Sequence, residues 1–159
     1  MSGATLVRFI AAATNPNIVV TSGALGSEGL RIEAGSTLEM NCPVAEEFSF
    51  DFANNSRGVV AGTWDFTGAG SVNLPDGSTF TVPVTTGFTN RLDINNGGII
   101  RFGNNTRIPT PGPGGPAYIF FNSGSTYWLN RNGGAVPPAN WDANSTVRVT
   151  GVVNQAPII

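Results

Sequence analysis

The sequence predicts an all-β protein: a single antiparallel β-sandwich or barrel-like domain built from hairpins, with extended N- and C-terminal arms. Three observations support this class. Short runs of β-branched and aromatic residues are separated by turn residues, and the 159 residues include 21 Gly and 11 Pro. No long stretch has the 3.6-residue apolar period of an amphipathic helix. A strand–turn–strand pattern with a central glycine occurs three times, which is typical of all-β domains.

The two chain ends are predicted to be arms. Residues 1–16 precede the first clear strand, and residues 154–159 end on apolar side chains. Apolar arms can bury themselves on neighbouring subunits, where each large side chain contributes roughly 1.5–3 kcal/mol. The alternative is that both ends pack on their own domain as edge strands. The residues predicted to contact a partner are Leu6, Val7, Phe9, Ile10, Ile158 and Ile159.

The all-β domain is predicted over residues 17–153. Within its second strand-like run, Phe48, Phe50 and Phe52 alternate with polar residues and should share one buried face. The strand-like runs cover residues 17–22, 47–52, 58–66, 117–121 and 146–153.

A Pro/Gly-rich segment, residues 107–116, interrupts these runs. It is not collagen-like, because Tyr118 stands where a third periodic glycine would be needed. Only about 40 residues follow the segment, which is short for a second domain. A surface loop inside one domain is therefore favoured over an interdomain linker.

The repeated pattern reads apolar-x-apolar-x-x-Gly-x-x-apolar-x-apolar and starts at residues 30, 72 and 92. In a hairpin, a tight turn around the glycine would fold the two arms against each other. Cross-strand pairing of apolar residues would then stabilise each copy. A β-helix is the alternative, but the intervals between the copies are unequal, whereas a regular solenoid needs a fixed period. The expected hairpin pairs are Ile32 with Leu38, Leu74 with Phe80, and Ile94 with Ile100.

Composition excludes several chemistries. The eight basic residues are all Arg, the chain has no His, and Cys42 is its only cysteine. These absences exclude a Ser-His-Asp triad, a P-loop, a Schiff-base lysine, an intrachain disulfide and a cysteine-based zinc site. The net charge of −2 is too small for a nucleic-acid or anionic-membrane binder. No cofactor is expected.

The N-terminus does not have the pattern of an export signal. Arg8 interrupts its apolar part, so we expect synthesis in a host cytoplasm without a secretory leader. No stretch approaches the ~20 apolar residues of a membrane span.

Two candidate polar sites remain, and neither is favoured. A carboxylate-pair glycosidase needs only two acids beside a sugar, but nothing in the spacing of the chain's acids distinguishes a pair. Asp93, Asn95 and Gly97 resemble the front half of a calcium loop, yet this is also ordinary turn chemistry, which we favour. The acids considered for catalysis are Glu46, Glu47, Asp51 and Asp65. We predict no catalytic and no metal-binding residue.

An aromatic and polar cluster near the end of the chain is a possible glycan contact. It consists of Tyr127, Trp128, Arg131 and Asn132. Exposed rings beside Asn and Arg can stack on sugars and bond to their hydroxyls. The favoured alternative is that the rings fill a core or a subunit interface.

The repeated glycine-centred pattern and the Gly-, Asn- and Thr-rich, weakly charged composition resemble virion proteins of tailed bacteriophages. The similarity is to capsid decoration (cement) proteins and tail-fibre domains, and it is one of style over much of the chain. It implies a homotrimer on capsomer junctions, whose arms clamp neighbouring shell subunits against internal DNA pressure. No individual residue is carried over from it.

The sequence thus predicts a non-enzymatic virion structural protein, a capsid decoration protein located in the virus particle. Its expected partners are copies of itself, as a trimer, and the major capsid protein or another virion protein, with no nucleic acid and no membrane. The first alternative is a receptor- or glycan-binding module of a tail fibre or lectin type. The second is a carboxylate-pair polysaccharide hydrolase.

Overall fold

The computed structural model describes residues 6–10, 17–20, 28–41, 49–52, 57–66, 84–85, 88–89, 91–102, 119–136 and 139–158. None of these residues is helical. The strands are β1 (Leu6–Ile10), β2 (Asn17–Val20), β3 (Glu28–Ile32), β4 (Thr37–Asn41), β5 (Ser49–Phe52), β6 (Arg57–Val60), β7 (Thr63–Phe66), β8 (Val84–Thr85), β9 (Phe88–Thr89), β10 (Arg91–Ile94), β11 (Ile99–Phe102), β12 (Ile119–Phe121), β13 (Thr126–Asn130), β14 (Asn140–Trp141) and β15 (Thr146–Thr150).

Two large parallel sheets dominate the structure. Sheet 1 has six strands in the order β1-β4-β7-β11-β13-β15, and sheet 2 has five in the order β14-β12-β10-β6-β3. Every pairing in both sheets is parallel. The predicted antiparallel sandwich or barrel of hairpins is therefore wrong. Only β8 and β9, outside the two large sheets, form an antiparallel pair among the described strands.

The chain winds through the sheets in coils. It passes from a strand of sheet 1 to a strand of sheet 2 and turns back into sheet 1 beside its previous strand. In the first two coils a strand on a third side, β2 or β5, lies between the two sheets along the chain, and these two strands pair with each other in parallel. This path is that of a parallel β-solenoid, in which successive coils stack as neighbouring strands.

The turns from sheet 2 into sheet 1 explain the glycine pattern. Four of them have four residues and close with the same hydrogen bond, from the fourth residue's N–H to the first residue's carbonyl, such as Ser125 N to Asn122 O at 3.0 Å. Their third position holds Gly35, Gly97 and Gly124, each with φ near +77°, a backbone region that favours glycine. Asn144 takes that position in the last such turn.

The predicted hairpin pairs are wrong for the same reason. Ile32 and Leu38 flank such a turn but lie in different sheets, and their register partners are Val60 and Trp64 of the next coil. Ile94 and Ile100 are separated in the same way. A corner directs both apolar arms into one interior, so it satisfies the same sequence pattern as a hairpin. The predicted pair of Leu74 and Phe80 lies outside the described residues.

The core is a set of columns in which one coil's side chain stacks on the next. One column runs from Leu38 through Trp64 and Ile100 to Tyr127, all nearly inaccessible to solvent. Aromatic rings stack within other columns, with Phe66 and Phe102 at 5.0 Å and Phe121 and Trp141 at 4.1 Å between ring centroids. Such stacking gives each coil its stability through its neighbours.

The predicted chain segments fall differently in the structure. Strand β1 lies within the predicted arm 1–16 and pairs with β4. The predicted tail 154–159 runs beside residues 133–136, where Ile158 and Ala135 form a parallel bridge. The predicted loop 107–116 lies outside the described residues.

Candidate functional site

Exposed apolar side chains are concentrated at the two ends of the coil stack. In the described part of the chain, six large apolar residues are exposed, and none of them belongs to a middle coil. In the middle coils, most large aliphatic side chains are instead buried in the core columns, and the outward-facing Ile99 is half-buried. Exposed apolar residues that form a contiguous patch can mark a contact site. The six residues are Leu6, Val7, Val147, Val152, Val153 and Ile158.

The N-terminal end of the stack contains a cavity of about 390 Å³. It lies where Val7 of β1 approaches the first turn from sheet 2 into sheet 1. The apolar part of its lining is Val7, Leu30, Ile32 and Leu38, and Arg31 and Glu33 contribute polar groups. Val7 is 48% exposed although it continues the buried column above Leu38. The column is therefore open at this end.

The C-terminal end of the stack is formed by β15 and the segment after it. Val147 continues the same column beyond Tyr127 and is 42% exposed. Asn132 fixes the following segment, because its Oδ1 accepts hydrogen bonds from the backbone N–H groups of Val153, Asn154 and Gln155 at 2.9–3.0 Å. This leaves Val153 82% exposed.

The outer face of sheet 1 carries a central column of charged and aromatic residues. In register from β4 to β15 it reads Glu39, Asp65, Arg101, Trp128 and Arg148, and Arg8 is the register partner of Glu39 in β1. Asp65 and Arg101 form an ion pair at 3.3 Å. In the described part of the molecule, Arg148 contacts the Trp128 ring, at 4.0 Å from the ring centroid, and forms no ion pair.

The residues predicted as a possible glycan contact do not present an open ring. Tyr127 is fully buried, and its hydroxyl donates to the carbonyl of Ala135 at 3.2 Å. Trp128 is half-buried between Arg101 and Arg148, which belong to the strands on either side of β13. Since a guanidinium covers each side of the indole, a sugar would have to displace one of them to stack there. Arg131 and Asn132 lie at the adjacent turn, half-buried.

Asp93 is the one fully buried acid among the described residues. Arg91 and Arg57 donate to its carboxylate at 2.7–2.9 Å, and Asn122 donates at 3.3 Å. Burial alone would raise the pKa of the Asp93 carboxyl, but hydrogen bonds from Arg91, Arg57 and Asn122 outweigh burial and hold the pKa below its ordinary value of 3.8. Asp93 is therefore an ionised carboxylate with its lone pairs occupied, which suits a structural ion pair better than proton transfer.

The other predicted polar sites contribute little in the described region. Asn95 and Gly97 form the second of the four-residue turns, and Asn122 donates to Asn95 Oδ1 at 2.9 Å. The described residues contain no cluster of three metal-ligating side chains. They also contain no helix long and apolar enough to cross a membrane. Nothing is described for Glu46 and Glu47, for Ile159, or for the side chains of Asp51, Phe9 and Ile10.

The sequence predicted contact residues near both chain ends, but it did not predict the exposed residues of β15 and of the segment that follows it. The pattern around Gly124 repeats the predicted motif with Ile119, Phe121, Tyr127 and Leu129 at its apolar positions, and could have been found. It would have placed Tyr127 in the interior. The exposure of Val147 has no comparable signal, because it depends on β15 being the last strand of its sheet.

Comparison of the chain with family models, with curated proteins and with solved structures gives no match.

Proposed function

We propose that this chain is a non-enzymatic structural protein of a virus particle, which contacts neighbouring virion proteins through the two ends of its coil stack. The observation that carries the proposal is the position of the exposed apolar side chains, all of which lie at those ends in the described part of the chain. Burying them on a neighbour would stabilise an assembly by roughly 25 cal/mol for each Å² of apolar surface removed from water.

The middle of the stack supports a structural role. Its buried columns of aliphatic and aromatic side chains form a rigid core. The buried acid Asp93 is committed to two arginines, so it does not offer a free general base. A rigid stack with exposed apolar side chains at its two ends is suited to holding other subunits in place.

The predicted partner, a shell protein such as the major capsid protein, belongs to this proposal. So does the predicted trimer, which would add weak contacts by avidity around a symmetric shell. The glycan-binding alternative has less support, because Tyr127 is buried and both sides of the Trp128 ring are covered.

The proposal is tested by mixing the purified chain with virus particles assembled without it and measuring the fraction that pellets. Leu6→Ser and Val153→Ser should each weaken binding about fivefold or more, as expected for contact residues worth about 1 kcal/mol or more. Ile99→Ser is the matched control, because Ile99 stands in the same outward column as Leu6 but in a middle coil. It should leave pelleting unchanged.

A chain that never pellets with such particles would contradict the proposal. Equal losses for Leu6→Ser and Ile99→Ser would contradict the assignment to the ends, since they would indicate a contact along the side of the stack.

A further inference from the structure

The outer edge of β15 has backbone groups available for another strand. In the described region β15 pairs only with β13. The N–H of Thr146 donates to Ser125 O, and the carbonyl of Thr150 accepts from Arg131 N, so these residues direct their backbone groups inward. Because successive residues of a parallel strand alternate, Val147 and Val149 direct their N–H and C=O groups to the free edge.

The side chains of β15 determine which positions of an added strand must be apolar. Val147 and Val149 extend the interior columns that run through Tyr127 and Leu129. A strand added in register would need apolar residues at the same two positions to continue these columns. This rests on the parallel register that every strand of sheet 1 already follows.

The charge of Arg148 determines which residue an added strand should carry between those two apolar positions. Arg148 occupies that position in β15, and Arg8 occupies the equivalent register position in β1 at the opposite end of the sheet. Stacking a second copy with β1 on β15 would make two residues of like charge register neighbours, which disfavours pairing. The ion pair within this column joins opposite charges, Asp65 of β7 and Arg101 of β11 at 3.3 Å, while Glu39 and Asp65 are register neighbours of like charge.

We propose that the edge of β15 binds an extended strand of a different protein, in parallel, with an acidic residue flanked by two apolar ones. The acidic side chain would lie beside Arg148, and the apolar pair would cover Val147 and Val149. This is strand addition to an open sheet edge, in which backbone bonds give affinity and alternate side chains give specificity. It rests on the end contacts proposed above and names the chemistry of the partner.

The test uses two capped synthetic peptides, Thr-Val-Glu-Val-Thr and Thr-Val-Arg-Val-Thr, titrated into the full chain and followed by NMR. The unaltered chain should bind the Glu peptide about fivefold more tightly than the Arg peptide, as expected for one well-placed pair of opposite charges. Arg148→Glu should reverse this order. Slowed amide exchange at Val147 and Val149 in the peptide complex would confirm the edge as the place of binding.

Val149→Pro provides a second variant, because it removes a donor from the free edge and leaves the hydrogen bonds to β13 intact. With an unchanged circular dichroism spectrum, it should bind neither peptide. Equal binding of both peptides, an order unaffected by Arg148→Glu, or no binding at all would overturn the inference. So would concentration-dependent self-association through β15, which would make a second copy the occupant. A chain that pellets with particles but shows no peptide preference keeps the proposed function and loses this inference.

Discussion

Gly98 is a position where the stacking of coils should be highly sensitive to a single methyl group. It is the fourth residue of its turn and is fully buried. A Cβ at this position would lie 2.2 Å from the carbonyl oxygen of Val60 and 2.9 Å from that of Asn95. Both neighbours are backbone atoms, so neither can move aside without displacing a coil. Its φ is not in the left-handed region, so the cost of Gly98→Ala comes from space alone.

The magnitude follows from what must move. The Val60 carbonyl accepts a 2.8 Å hydrogen bond from Asn95 N, which links this turn to the coil before it. Overpacking of a tight interior costs about 1–3 kcal/mol, and a buried hydrogen-bonding group left without its partner costs about 1–3 kcal/mol more. We therefore expect Gly98→Ala to lower the free energy of unfolding by about 4 kcal/mol.

Ser125→Ala is the matched control, because Ser125 holds the equivalent place in the next four-residue turn. Its buried hydroxyl has no hydrogen-bond partner among the residues that the structure describes, so removing it should change stability by less than about 0.5 kcal/mol or increase it slightly. Urea unfolding followed by tryptophan fluorescence measures both variants. A Gly98→Ala protein as stable as Ser125→Ala would refute the stacking geometry described for this corner.

Three further predictions concern turns and titration. Gly35→Asn should be nearly neutral, because Gly35 has open space and a φ of +78° and Asn tolerates this region, whereas Gly35→Val should cost about 1–2 kcal/mol in urea unfolding. Asp93→Asn should cost about 1–2 kcal/mol at pH 7, since its partly exposed arginines are screened by solvent. The lowered pKa of Asp93 places that stabilisation above pH 3.8, so unfolding curves of the two proteins should converge as the pH falls below this value. Burial raises the pKa of Tyr127 well above 10, so its hydroxyl stays protonated in the folded chain at pH 10–11. The phenolate absorbance of the folded protein in this pH range should therefore be the same with and without Tyr127→Phe. Stability should fall above pH 10, where the unfolded chain ionises and the folded one does not.

The strand content and the glycine turns could be predicted from the sequence. Alternating apolar residues around Gly35 and Gly97 indicate strand, turn and strand, and the structure has all three. Whether the two arms pair with each other or with distant segments is a long-range property. The pattern itself is identical in both cases.

The unequal intervals between the copies of the pattern favoured hairpins over a solenoid, because a regular solenoid was expected to have a fixed period along the chain. The structure is a solenoid without such a period. A stack requires a fixed register between strands, and sheet 1 has it from Thr37 through Thr63 and Ile99 to Thr126. It does not require equal lengths on the third side, where the chain can make longer or shorter crossings. The feature that repeats from coil to coil is the register between neighbouring strands, and the number of residues in each coil can vary.

The candidate site could be predicted from the sequence only in part. Leu6, Val7 and Ile158 were singled out for contact from their apolar character near the chain ends, and the structure exposes all three. Val147 and Arg148 looked like members of an ordinary strand. Only the strand order of sheet 1 shows that these two residues lie in a strand at the edge of the sheet.

Because each coil of the stack bonds only to the coils before and after it, its resistance to opening is a local property. A strand in the middle of sheet 1 must release two neighbours to unfold, whereas β15 must release only β13. Opening of such a stack can thus begin at an end and proceed inward, coil by coil. A partner strand seated on β15 would give the last coil the two neighbours that inner coils have, so binding there would also act as a lock against fraying.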